Sequence, residues 1–269
     1  MSQDDQGNSA PQKMPLLSHL EVLRKLIMVS VIAILVTSVV AFTYIDTFLF
    51  IILKPANDLH LKLVYTGVTE GIFFKLHIAL VFGTMAASPI LLWQFWRFLV
   101  PAMYPNERRY IARLVPISIV LFLGGVVSAY FTVLPFLLEF LIKYSSEFTA
   151  LITISNYLSF TEHLLIPFGL LFEYPLLVYF LAKMGILTPK VLVKYRKYAI
   201  VAIVIVASIL TPSPDPFSTI IVAAPMLILY EVGIIVARIV FRKKRIQLNK
   251  LRTSGDDGNG CSLPGLFKA

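Results

Sequence analysis

Long apolar runs separated by short polar stretches dominate the chain. A charge-free run of about 20 residues is long enough for a helix to cross the roughly 30 Å hydrocarbon core of a membrane. Runs of this kind predict six membrane spans, at residues 26–45, 76–96, 114–138, 164–182, 198–210 and 217–237. One glutamate interrupts the fourth run and another the sixth. The pattern predicts an all-α, polytopic integral membrane protein.

The polar stretches divide the chain into three parts. Residues 1–14 are rich in polar residues, Pro and Gly, and we expect them to be disordered. Residues 15–245 form the predicted six-helix membrane domain, and residues 246–269 form a polar tail. The fifth run, 198–210, would reach only about 20 Å as a helix. We therefore expect its flanking residues to snorkel or the bilayer to thin around it.

Composition supports a single membrane domain. Of 269 residues 58% are hydrophobic and only 14% charged, and the mean hydropathy is +0.81. A net charge of +9 could indicate nucleic-acid binding, but Lys and Arg collect on the cytoplasmic side of membrane proteins. Six spans place 20 of the 24 Lys and Arg residues on the side of both termini and four on the other. We predict cytoplasmic termini and no nucleic-acid partner.

Few residues offer catalytic or metal chemistry. Cys261 is the single cysteine, and the four histidines are scattered over separate segments, so no metal cluster is expected. No nucleophile–base arrangement or glycine-rich phosphate loop is present. The acidic, polar N-terminus lacks the basic region of a cleavable signal peptide. The sequence therefore predicts a protein that is not an enzyme and carries no cofactor.

Residues 94–109, the elbow, join the second and third spans. Pro101 and Pro105 prevent a continuous helix, so a fixed turn is expected at the membrane surface. One acid, Glu107, lies among three arginines. Three aromatic side chains suit the headgroup layer: Trp96, Phe98 and Tyr104.

Each candidate acid near a helix start has two interpretations. Glu107 either fits the dipole of the third helix or is a carboxylate that can pair with a guanidinium group. Glu21 forms either a capping box with Ser18 or part of a binding site. Arg24 is either an orientation charge or a partner for one of these acids. Asp215, just before a proline, is read first as a helix N-cap.

Glu173 lies at the middle of the fourth span. An ionised acid there costs about 2.5–3.5 kcal/mol, so it should be protonated, paired or hydrated. Pro167 and Pro175 flank it and should kink the helix. Glu173 is either a contact for a partner's helix or the substrate path, or a polar node between this protein's own helices. Glu231 in the sixth span has the same two interpretations.

Several stretches, taken together, resemble TatC, the polytopic subunit of the twin-arginine protein translocase. They cover the family's order over about residues 15–245 and are residues 18–25, 98–109, 168–175, 196–198, 211–218 and 224–231. The resemblance implies a receptor, in a bacterial-type plasma (inner) membrane, for signal peptides with two adjacent arginines. It also implies transport of folded proteins with small single-span partners of the TatA and TatB type, in a homo-oligomer or multi-subunit complex.

The resemblance assigns roles to particular residues. It implies that a signal-peptide site includes Glu107, Glu21, Arg24, Phe98, Pro101 and Arg109. It implies a partner-helix contact at Glu173 and Glu231, and an outer-side turn at Asp215. One departure concerns Glu21, because the family pattern places its acid at Val22, which is about 100° around a helix.

The rival function is a proton-coupled secondary transporter that uses Glu173. It is suggested by this intramembrane acid and by the expected proline break in the fourth span. Carriers usually contain two halves with matching broken helices. Here the broken fourth span and the short fifth have no counterparts in the first three spans. The carrier is therefore the less favoured of the two functions.

Overall fold

The computed structural model describes residues 16–61, 63–64, 67, 69–99, 111–144, 152–211 and 215–256. Within these ranges the chain forms α-helices, one π-helical turn and two short strands that pair in a two-stranded sheet. The elements are α1 (Leu16–Thr43), α2 (Ile45–Asp58), β1 (Leu63–Val64), α3 (Glu70–Leu99), α4 (Ile111–Ser128), the π-helical turn (Ala129–Val133), α5 (Leu134–Tyr144), β2 (Ile152–Thr153), α6 (Ile154–Phe172), α7 (Tyr174–Lys183), α8 (Pro189–Lys194), α9 (Arg196–Leu210) and α10 (Pro216–Asp256).

Helical stretches that are long and apolar enough to cross a membrane match five of the predicted spans. They are Leu23–Thr43, Glu70–Phe98, Leu114–Tyr144, Ile154–Lys183 and Pro216–Arg242. The predicted all-α, polytopic membrane class is confirmed. The remaining predicted span, 198–210, coincides with α9, which has 15 residues. The count of six spans, and the side on which the termini lie, stay predictions.

The chain divides into two compact units, and the first comprises residues 1–119 with 153–158. In this unit α1 packs along α3. A Cβ atom added to Gly83 of α3 would lie 2.5 Å from Ser38 Cα and 2.6 Å from Ser38 N of α1, so only glycine permits this approach. Thr37 Oγ1 donates a hydrogen bond to Gly83 O at 2.7 Å. Small residues and an interhelical hydrogen bond are what hold helices together where lipid surrounds them.

Helix α2 packs its apolar face on the start of α3 and of α6. Its buried residues Ile45 and Ile52 share a cluster with five others: Phe74, Ile78, Ala79, Ile154 and Leu158. The buried Tyr157 hydroxyl donates to Ile52 O at 2.7 Å. The sequence interpretation missed α2, because its 14 residues include charged side chains and Pro55 and so contain no long charge-free run.

The second unit comprises residues 120–152 and 159–269. Here α10 packs against α7, α8 and α9, around a buried cluster of Val178, Ala182, Leu192, Tyr230, Ile234 and Ala237. The rings of Tyr174 and Tyr230 stack with centroids 5.9 Å apart. A Cβ atom on Gly233 would lie 2.6 Å from Tyr174 Cε1. The lack of a side chain at Gly233 therefore leaves room for the Tyr174 ring to pack on α10.

Prolines explain two irregular points in the long helices. Pro175 has no N–H to continue the helical ladder, and α6 ends at Phe172 while α7 begins at Tyr174. The predicted interruption of the fourth span is thus present at Pro175, whereas Pro167 lies inside α6. The π-helical turn Ala129–Val133 directly precedes Leu134 and Pro135. A widened turn there relieves the clash of the proline ring with the preceding turn.

Candidate functional site

The structure describes the two helices that flank the elbow, α3 and α4. Helix α3 ends at Leu99 and α4 begins at Ile111. The candidate residues Pro101, Glu107 and Arg109 lie outside the described residues, so their predicted roles stay predictions. Tyr104 and Pro105 lie there as well.

The flanks of the elbow are joined by a buried hydrogen bond. Trp96, at the end of α3, is fully buried, and its Nε1 donates to Ser118 Oγ of α4 at 3.0 Å. Phe95 packs edge-on against the Trp96 ring, with centroids 5.7 Å apart. The prediction that Trp96 anchors in the headgroup layer is wrong, because the indole ring lies inside the protein with its N–H bonded to a neighbouring helix. Phe98 is half-buried and Arg97 exposed.

Glu21 and Arg24 lie three residues apart on α1, which places them on neighbouring positions of the helix surface. Both side chains are exposed, and neither forms a salt bridge within the described part of the chain. Helix α1 begins at Leu16, so Ser18 is inside the helix rather than at its N-cap. The capping-box interpretation of Ser18 and Glu21 is therefore wrong, and Glu21 is left accessible to a ligand.

Glu173 lies at the junction of α6 and α7 and is only 6% exposed. Its N–H donates to Leu170 O at 3.1 Å, and its carbonyl accepts from Leu177 N at 2.9 Å. The backbone thus continues through the junction with a tighter turn on one side. This arrangement buries a carboxyl group in the middle of a long apolar helical stretch.

Glu231 of α10 is held differently from Glu173. Its carboxylate forms a salt bridge with the guanidinium group of Arg196 at the start of α9, and both side chains are about half exposed. The structure therefore gives Glu231 a partner within the chain, as the polar-node interpretation expects. Glu173 and Glu231 have separate environments, although the sequence interpretation grouped them.

Asp215 begins α10 as an N-cap. Its Oδ2 accepts a hydrogen bond from Ser218 N at 2.8 Å, and its carbonyl accepts from Thr219 N at 3.1 Å. Pro216 follows as the first helical residue. The interpretation of Asp215 as a helix start is confirmed.

One polar contact was missed from the sequence. Glu70 Oε1 accepts a hydrogen bond from Ser155 Oγ at 2.7 Å, and Glu70 Oε2 accepts one from Gly67 N at 3.1 Å. The carboxylate therefore ties the start of α3 to the start of α6. The only sequence signal was an acid in the first turn of a helix, and nothing in it indicates a serine 85 residues away. No group of three or more His, Cys, Asp and Glu in the described ranges could hold a metal ion.

Comparison with known proteins places the chain among translocase components. The family model of TatC, described as Sec-independent protein translocase protein, matches residues 18–225. The Sec-independent protein translocase protein TatC of Carboxydothermus hydrogenoformans is 47% identical over 232 residues, covering 86% of this chain and 96% of the relative. That of Aquifex aeolicus is 38% identical over 240 residues, covering 86% and 98%.

Solved structures agree in fold. The crystal structure described as twin arginine translocase receptor TatC superimposes with a TM-score of 0.72 at 36% identity, covering 83% of this chain and 99% of that one. A second crystal structure of that receptor, in the detergent DDM, gives a TM-score of 0.75 at 36% identity, with coverage of 81% and 99%.

Proposed function

The chain belongs to the TatC family and is a membrane component of the Sec-independent protein translocase, and from this premise we propose that it binds signal peptides carrying two adjacent arginines. Solved relatives are described as twin arginine translocase receptors. Family membership does not favour the proton-coupled carrier. A translocase component is a transport protein, and no catalytic step is proposed for it.

The Trp96–Ser118 hydrogen bond is the observation that carries the proposal. It joins Trp96, three residues before the end of α3, to Ser118, seven residues after the start of α4. The 11 residues between Leu99 and Ile111 therefore connect two helices that are held against each other. A guanidinium group needs a carboxylate in a fixed position, because bidentate pairing depends on geometry. Glu107 is the proposed carboxylate, and the exposed Glu21 is the proposed second one.

The surrounding residues shape the proposed site. Phe98 is half-buried at the end of α3 and offers an apolar surface. Pro101 is the proposed residue that restricts the backbone of the elbow, since its ring fixes φ. Arg24 and Arg109 are proposed members of the same site. The basic excess of the proposed cytoplasmic side would repel an arginine-bearing peptide at long range, so recognition must act at these local acids over short distances.

Glu107 is tested with peptides that carry Arg-Arg or Lys-Lys. A hydrogen bond to a charged group contributes about 1.5–3 kcal/mol, so Glu107→Ala should weaken Arg-Arg peptide binding about tenfold or more. Glu107→Gln should fail as well, since it keeps shape and loses charge. The matched control is Glu139→Ala, which removes another exposed acid and should leave binding unchanged.

Combining Glu107→Ala with the Lys-Lys peptide tests whether Glu107 contacts the arginines directly. Lysine cannot form the planar fork of arginine, so the Lys-Lys peptide should bind wild type poorly and lose little more on Glu107→Ala. Such non-additivity indicates direct contact. Additive losses, measured in nanodiscs, would show that Glu107 does not touch the arginines.

The junction of α6 and α7 is the proposed contact for a small single-span partner of the TatA or TatB type. A carboxyl group at this depth, as at Glu173, is costly within a membrane unless polar groups surround it, and a partner helix that packs on the junction would add a further polar contact to Glu173. Glu173→Gln should retain partner capture, because the amide still forms hydrogen bonds, whereas Glu173→Leu should lose it. Normal capture by both variants would make Glu173 an internal node only.

The proposed setting is the bacterial plasma membrane, with six spans and both termini cytoplasmic. Helix α9 would be the fifth of these spans, although its 15 residues reach only about 22 Å. Reporters at Pro105, Lys190 and the C-terminus should read cytoplasmic, and those at Asp58 and Ser146 external. An external C-terminus would contradict this topology.

A further inference from the structure

The connection between α7 and α9 is strongly basic. Between Tyr174 and Ser213 the chain has no acidic residue, while five basic residues fall within 15 positions: Lys183, Lys190, Lys194, Arg196 and Lys197. We propose that α8 and the first turn of α9 form a binding site for the headgroup of an anionic phospholipid. The proposal concerns a surface distinct from the elbow and does not depend on signal-peptide binding.

Helix α8 is a fixed platform within its unit. Leu192 is 8% exposed and lies in the cluster formed with α7 and α10. Tyr230 Oη donates a hydrogen bond to Leu192 O at 2.8 Å, and Thr188 caps the helix by accepting from Val191 N at 3.4 Å. Basic side chains on α8 therefore project from backbone that is held in place.

Three lysines of this platform keep unbalanced charge. Lys190, Lys194 and Lys197 are exposed, and none of them forms a salt bridge with any residue that the structure describes. Arg196 differs, since it pairs with Glu231. The only acid that the described contacts bring to this platform is thus already used. An anion that neutralises the lysines must therefore come from outside the part of the chain that the structure describes.

Exposed apolar and aromatic side chains alternate with these lysines. Tyr195 is 52% exposed and Tyr198 72%, and their rings lie 6.0 Å apart. Lys194 Nζ lies 6.0 Å from the centroid of the Tyr195 ring. Ile186, Val191 and Val193 are exposed as well. Such a mixture suits the boundary between headgroups and acyl chains.

This mixture decides between a lipid and a water-soluble anion. An acidic peptide would be bound by the lysines alone and would leave the apolar side chains in water. A phospholipid supplies a phosphate to the lysines and acyl chains to the apolar side chains in one molecule. Basic clusters immediately beside a membrane helix are a known pattern for anionic lipid.

The test is lipid retention by the purified full chain, measured by native mass spectrometry in detergent. Phosphatidylglycerol and phosphatidylcholine with identical acyl chains are titrated separately. Wild type should retain phosphatidylglycerol in preference to phosphatidylcholine. Each surface lysine is expected to contribute about fivefold, so K190Q/K194Q/K197Q should reduce that preference at least tenfold. K190R/K194R/K197R should keep it.

A matched control separates a site from total charge. K250Q/R252Q/K268Q also removes three positive charges, but from the C-terminal segment, and should keep the wild-type preference for phosphatidylglycerol. An equal loss in this control, or an unchanged preference in K190Q/K194Q/K197Q, would overturn the proposal. If the triple variant does not fold, Lys194→Gln alone should lower the preference about fivefold. An unchanged preference in Lys194→Gln would then overturn the proposal. Signal-peptide binding, measured on the same samples, is scored separately.

Discussion

Replacing Gly83 with alanine should separate α1 from α3. The added Cβ would lie 2.5 Å from Ser38 Cα and 2.6 Å from Ser38 N, whereas carbon atoms pack best at about 3.5–4.0 Å. Ser38 meets the new atom with its backbone, which no side-chain rotation can move. The two helices must therefore shift apart by roughly 1 Å.

The expected cost follows from three contributions. Overpacking of this kind costs about 1–3 kcal/mol. Separation also weakens the Thr37–Gly83 hydrogen bond of 2.7 Å, and such bonds between membrane helices contribute about 0.6 kcal/mol. Alanine returns about 1 kcal/mol through its higher helix propensity. The net loss should be about 0.6–2.6 kcal/mol.

The assay is the midpoint of SDS-induced unfolding in mixed micelles. Gly124→Ala in α4 is the matched control, because its Cβ would meet no atom within 4 Å. It should be neutral or slightly stabilising by propensity alone. Equal midpoints for Gly83→Ala and Gly124→Ala would refute the reasoning. Since α1 carries Glu21 and Arg24, signal-peptide affinity should fall only in Gly83→Ala.

Three further predictions concern the second unit. Asp215→Ala should lower the unfolding free energy by about 1 kcal/mol through loss of the N-cap, while Asp215→Asn should retain it; equal midpoints for both would contradict the cap. Tyr230→Phe removes the hydrogen bond to Leu192 O and should cost about 1 kcal/mol, with faster proteolysis near α8 as the local readout. The half-exposed Arg196–Glu231 pair should contribute less than about 1 kcal/mol in a double-mutant cycle, and its contribution should shrink in high salt.

The membrane helices could be predicted because their signal is local. A charge-free run identifies a span without any knowledge of its neighbours, and the α6–α7 break followed from Pro175 itself. The N-cap at Asp215 was likewise readable from the order of acid and proline. These features depend on residues within a few positions of each other.

Features that depend on distant residues could not be predicted. In the sequence an aromatic residue at the end of a span looks the same whether it faces headgroups or protein. The burial of Trp96 and its bond to Ser118 therefore could not be predicted. Glu70 and Ser155 are 85 residues apart. Ser18 and Glu21 fit the capping-box pattern, which does not reveal that α1 already begins at Leu16. Pro15 before Leu16 is a competing signal for the earlier start.

The packing of α1 against α3 has a consequence for the synthesis and membrane insertion of the chain. Only 6% of the most apolar window of α1 is buried by the rest of the chain, and Gly83 is synthesised about 40 residues after α1 ends. At about 5–20 residues per second, α1 must reside alone in lipid for about 2–8 s. Thr37 Oγ1 also lies 2.8 Å from Ala33 O and 3.1 Å from Ile34 O, so its hydroxyl has acceptors on its own helix while the ribosome completes the partner.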